Sequence, residues 1–202
     1  MARAPIHNIL AVTLTAGALI AATPNTAGTG LVLQPESRLW VDGTSTVRAF
    51  TCGTTNFTAK IESEAPQSVA ALMLGQKAVK TVVADFPTEA LDCKNGTMNE
   101  HMRKAIKAAD NPTIEFRLAS YDVLTENGQI KGQLRGTLQM GGVEKPVVID
   151  AAGTRTADGQ LRVTGTTKLN MKEWGLKPPT LMFGTMKVNE NVQVGFDLLL
   201  KD

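Results

Sequence analysis

Side chains that do chemistry are scarce in this chain. Histidine occurs twice, at His7 and His101, cysteine twice, and aromatic residues make up 4% of the 202 positions. A Ser-His-Asp arrangement would have to be built on His101, in a predicted helix among Glu100, Arg103 and Lys104, and no G-x-S-x-G accompanies it. That setting is the solvated surface of a helix. A zinc site needs three or four His, Cys or carboxylate ligands, which one such histidine and two distant cysteines do not supply. No G-x-x-x-x-G-K-[ST] or G-x-G-x-x-G is present to cradle phosphates. These absences describe a non-enzyme, with no catalytic residue, metal or cofactor assigned. An excess of one charge is also missing. The 21 basic residues, one of them Arg3, face 19 acidic ones without a basic run, which argues against nucleic acid as a partner.

Long apolar runs are confined to the N-terminus. Arg3 precedes Ile9–Ala22, an apolar stretch of small residues that is short for a membrane span and is followed by polar sequence. Residues 1–27 are expected to be a signal peptide and linker, cut somewhere between 22 and 27. A retained anchor is the alternative. The remaining chain, 31–202, is read as one domain, periplasmic or secreted, without stable membrane insertion. In an exported protein Cys52 and Cys93 favour a disulfide over two free thiols. Closing a loop of roughly 40 residues would stabilise by roughly 4 kcal/mol on the chain-entropy estimate.

What is abundant is alternation. In Gln129–Met140, Ile130, Gly132, Leu134, Gly136, Leu138 and Met140 share one parity and polar residues the other, the pattern of a strand with one apolar face. Gly141-Gly142 turns this strand toward a second one at Pro146–Ile149, five residues on. Similar alternation marks Phe57–Glu62, Ile114–Ala119, Leu161–Met171 and Val192–Lys201, and Gly53-Thr54-Thr55 looks like a hairpin between Thr46–Cys52 and Phe57–Glu62. Val69–Leu74 fits a strand or a short helix. Met98, Met102, Ala105, Ile106 and Ala109 fall at helical spacing, with Thr97 and Glu100 placed as a capping box, so a short helical insertion is expected near 97–109. About eight strands joined mostly by short turns define an all-β sandwich or barrel, and inward glycines favour the barrel.

The inward parity supplies a candidate ligand-binding interior: Phe57, Phe116, Leu134, Leu138, Met140, Leu169, Met171 and Phe196, with Phe50 and Phe86 as additions. An eight-stranded barrel is filled by side chains or holds one slender ligand. Gly132, Gly136 and Gly165 point to unfilled volume, and methionines suit flexible apolar chains. The apolar loop Trp174–Phe183 offers an entrance, with Trp174, Met182 and Phe183 as its residues. Packed dry, the same interior would belong to a secreted interaction or stress-related protein acting through its surface.

Several runs resemble one family. Leu39–Val47 (LWVDGTSTV) is similar to the opening strand of the YceI-like proteins, and Asn111–Phe116 (NPTIEF) after the polar helical stretch Met98–Met102 is similar to a second segment. Gly136–Val147 resembles the hairpin G-x-L-x-x-x-G-x-x-K/R-P-V, Leu169–Leu176 the short N-R-x-x-[FW]-G segment, and Asn189–Leu200 the last strand. The resemblance spans about residues 37–202. It implies a lipocalin-like, extended antiparallel barrel in the bacterial periplasm that binds a small hydrophobic or amphiphilic molecule, such as a polyprenyl lipid or isoprenoid quinone, without catalysis; dimerisation stays open. Two positions depart from the pattern: Thr44-Ser45 replaces His-Ser, and Asn170-Met171 replaces Asn-Arg. If either orients a ligand head, the ligand preference shifts. The cysteines are not a general family feature.

Overall fold

The long alternating run folds as strand β8 (Gln129–Met140), which turns at Gly141-Gly142 into β9 (Val143–Arg155). Met140 pairs with Val143, so the connection holds two residues and not five, both at positive φ of 59° and 82°. Glycine alone takes that backbone without steric penalty, and two-residue turns of this hand match the twist of the strands. Pro146 lies inside β9, in the part that gains no partner strand on its far side, so its missing N–H breaks no ladder there.

The computed structural model describes residues 30–64, 66–181 and 185–202. One antiparallel sheet curls through nine strands in the order β3 (Ala49–Thr54), β2 (Arg38–Thr44), β13 (Asn191–Lys201), β10 (Leu161–Asn170), β9, β8, β6 (Thr113–Tyr121), β5 (Val79–Pro87) and β4 (Thr58–Ser63). β1 (Val32–Leu33) joins the edge of β13 and β7 (Leu124–Glu126) that of β8, giving eleven strands. A separate ribbon pairs β11 (Thr180–Leu181) with β12 (Met186–Lys187). Bulges in β6 after Leu118 and in β5 opposite Glu62/Ser63 shift the parity, so Leu118 and Tyr121, and likewise Val82 and Val79, all face the interior.

β3 and β4 do not form a hairpin. They are the two ends of the curled sheet, and a turn at Thr54, whose hydroxyl accepts from Asn56 N at 2.9 Å, directs them apart. The seam between them is filled from elsewhere. Leu31, just before β1, packs in one cluster with Ile61 of β4, and a methyl at Gly30 would overlap the Ile61 carbonyl. On the other side Gly53 of β3 exchanges two backbone hydrogen bonds with Asp92, at 3.0 and 2.9 Å. One residue further on, a disulfide joins Cys52 to Cys93, 41 residues apart in sequence.

Val69–Leu74 resolves as a helix, α1 (Ser68–Met73), which inserts Val69 and Leu72 into one end of the barrel. The insertion helix α2 (Gly96–Ala105) crosses the other end. Its N-cap is Asn95, whose side chain accepts from Met98 N at 2.9 Å, and not Thr97. It ends at Ala105, ahead of a turn in which Lys107 takes a positive φ of 56°, well before Asn111-Pro112. No helix among the described residues is long and apolar enough to cross a membrane.

Candidate functional site

Along the barrel axis the interior divides into two apolar compartments. The smaller, about 130 Å³, lies at the α1 end between Leu72, Val79, Tyr121, Ile130, Leu161 and Leu200. The larger, about 410 Å³, lies beneath α2. Its wall combines Val41, Phe50, Phe86, Leu138, Met140, Leu169, Met171, Val192 and Val194 with Met98, His101, Met102 and Ala105 from the helix. The strand order explains the sequence: on β8, Ile130, Gly132 and Leu134 serve the small compartment and Leu138 and Met140 the large one, while on β13 Leu200, Leu198 and Phe196 precede Val194 and Val192 in the same sense.

The eight interior residues named from the sequence are thus separated. Leu138, Met140, Leu169 and Met171 line the large compartment; Phe116, Leu134 and Phe196 line the small one. Phe57, partly buried ahead of β4, lines neither. Phe116 also packs against the apolar cluster of the large compartment, which places it at the waist between the two.

The inward glycines do not mark empty space. A methyl at Gly136 would overlap the Phe116 ring, one at Gly165 the Phe196 ring, and one at Gly132 the Asp122 backbone. The missing side chains at Gly136 and Gly165 seat the two rings against the wall, and that at Gly132 admits the Asp122 backbone.

Trp174 is not an entrance residue. It closes a 3-10 turn (Met171–Trp174), is 2% exposed, and donates from Nε1 to the Leu138 carbonyl at 3.2 Å. Met182 and Phe183, named with it, lie outside the described residues. The cover over the large compartment is α2, fastened by Cys93, by the Gly53–Asp92 bridge and by a polar clasp. Asn99 donates to Asp92 at 2.9 Å and accepts from Cys93 N at 2.7 Å. With Lys94 adding an ion pair at 2.9 Å, the Asn99 amide first and Lys94 second hold the Asp92 carboxyl down at about 2.

His101 is not a freely solvated surface residue. It is partly buried and lines the mouth of the large compartment with Met98 and Met102, which lie three residues before it and one after it on the helix. Met98 neighbours both, at i,i+3 and i,i+4 spacing. The Met98-x-x-His101-Met102 spacing was the available signal. Ser45 also borders this compartment, but its hydroxyl is engaged in its own turn, donating to the Arg48 carbonyl at 2.9 Å and accepting from Val47 N and Arg48 N. Among the described residues no group of three or more His, Cys, Asp or Glu is gathered as for a metal ion. Of the two departures from the family pattern, Met171 lines the large compartment, whereas Thr44 is exposed at the end of β2.

A curled antiparallel barrel with an apolar interior under a helical cover is the class that fold and site define. The YceI-like domain model matches residues 37–200, and the chain belongs to the YceI-like family. No curated protein matches at a significant level. Among solved structures, Burkholderia cenocepacia BcnA superposes with a TM-score of 0.61 at 12% identity, covering 81% of this chain and 95% of that one. A polyisoprenoid binding domain from Saccharophagus degradans, implicated in plant cell wall breakdown, gives 0.60 at 12% identity, with coverages of 85% and 98%. The Campylobacter jejuni YCEI protein gives 0.53 at 18%, covering 73% and 82%.

Proposed function

We propose that this protein is exported and holds a long apolar or amphiphilic molecule of isoprenoid type, a polyprenyl lipid or quinone, inside its barrel, and that it binds without catalysing. The observation that carries the reading is the compartment of about 410 Å³ under α2, walled by aliphatic, methionine and phenylalanine side chains. That volume falls in the range of small-molecule sites, and few polar groups interrupt its lining. Family membership and the likeness to a polyisoprenoid binding domain lend further support. Export is supported by the leader-like first 27 residues and by the disulfide, a bond that persists in oxidising compartments.

Native mass spectrometry of protein purified from the periplasm, followed by denaturation and lipid analysis, tests this. A stoichiometric adduct releasing an isoprenoid mass is expected, and Leu138→Trp or Met140→Trp should abolish it while the fold survives. A bare protein mass in repeated preparations, unshifted by added isoprenoids, would leave a dry barrel acting through its surface.

A further inference from the structure

His101, Ala105 and Pro179 line the large compartment and also a groove outside it. The rest of that groove includes Lys104, Lys107 and Lys177, and Arg48 stands on the rim of the compartment itself. No carboxylate lines either space among the described residues. The chain as a whole is close to charge balance, so this separation is local.

Elsewhere three arginines of the barrel wall are paired. Arg162 donates to both oxygens of Asp197 at 2.8 and 2.6 Å, Arg135 meets Asp122 at 2.7 Å, and Arg117 meets Glu115 at 2.6 Å. At the groove, Lys104 pairs with Glu100 at 2.7 Å, whereas Lys107, Lys177 and Arg48 form no ion pair with a described residue. Lys104 lies in the last turn of α2 and Lys107 just beyond its end, where both complement its dipole. Lys177 belongs to a different segment and has no such role. Cations converging from two segments on the open side of an apolar cavity form a site for negative charge at one end of a chain molecule.

We infer that the groove of Lys107, Lys177 and His101 receives the anionic head group, a carboxylate or a phosphate, of an amphiphile whose tail occupies the compartment under α2. This rests on the lipid-holding reading and specifies the ligand's polar end.

The test compares hexadecyl phosphate, palmitate and hexadecanol by calorimetric titration of the purified protein at low and high salt. The two anionic probes should bind roughly tenfold more tightly than the alcohol at low salt, with the advantage shrinking as salt screens it. In the Lys107→Gln/Lys177→Gln variant all three probes should bind alike. Leu138→Trp should remove binding of all three. The tighter of the two anions identifies phosphate or carboxylate, and both results sustain the inference. Equal affinity for acid and alcohol in the unaltered protein would overturn the anionic head while leaving the cavity reading intact. An anion preference that survives the double variant would overturn the groove assignment. Failure of all three probes to bind would remove the lipid-holding reading, and this inference with it.

Discussion

Asn99 and Asp92 hold each other through the Nδ2–Oδ1 hydrogen bond of 2.9 Å, and by that contact the cover helix is tied to the segment that bridges to β3. The Asp92 carboxyl sits at about 2 against an ordinary 3.8. A carboxyl depressed by folding contributes stability that is complete above the unfolded value and disappears as pH falls through the folded one. Hydrogen exchange in α2 should therefore accelerate as pH drops from about 4 toward about 2 beyond the intrinsic pH dependence of exchange. In Asn99→Ala the Asp92 carboxyl should titrate closer to 3.8, as followed by carboxyl NMR. An unmoved titration would show that Lys94 alone sets it.

Replacing both cysteines, Cys52→Ala with Cys93→Ala, should lower stability by about 2–4 kcal/mol in denaturant unfolding, since the bond closes a large loop in the unfolded chain. Retained binding at low denaturant would show that the Gly53–Asp92 bridge suffices to place α2.

Phe116→Ala should merge the two compartments. The truncation should cost about 3 kcal/mol of stability. Affinity for long chains should rise relative to short ones in an alkyl-length series, and an unchanged length preference would show that Phe116 is not the divider.

Gly165→Ala should destabilise by about 1–3 kcal/mol, because the new methyl meets the Phe196 ring and a packed core resists added volume. Adding Phe196→Leu should return part of that loss. Additive losses in the double variant would argue against the contact.

Trp174→Phe should cost about 1–2 kcal/mol by leaving the Leu138 carbonyl without its donor, measured by thermal or chemical unfolding.

Much of this was legible from periodicity. Val192, Val194, Phe196, Leu198 and Leu200 share a parity, and all five line the interior, because a strand has no other way to place alternate side chains. The separation of β3 from β4 was not legible. Gly53-Thr54-Thr55 has hairpin composition, but the partner of Gly53 is Asp92, far along the chain. The cap of α2 was misplaced because Asn95 and Thr97 are both good N-caps, and only the structure shows which oxygen meets an N–H. Glycine at 136 and 165 signalled a missing side chain, yet whether cavity or aromatic ring takes the space depends on Phe116 and Phe196, neighbours on other strands. The division of the interior at Phe116 likewise depends on packing between strands distant in sequence.

The seam beside β3 makes the girth of the barrel a matter of redox chemistry. Other neighbouring strands in the wall are joined by ladder hydrogen bonds, but at this point the hoop is fastened by two backbone hydrogen bonds and one sulfur–sulfur bond. Oxidised, the hoop has a covalent clasp and a fixed circumference at the α2 end. Reduced, it is held there by two backbone hydrogen bonds, contacts that water can replace.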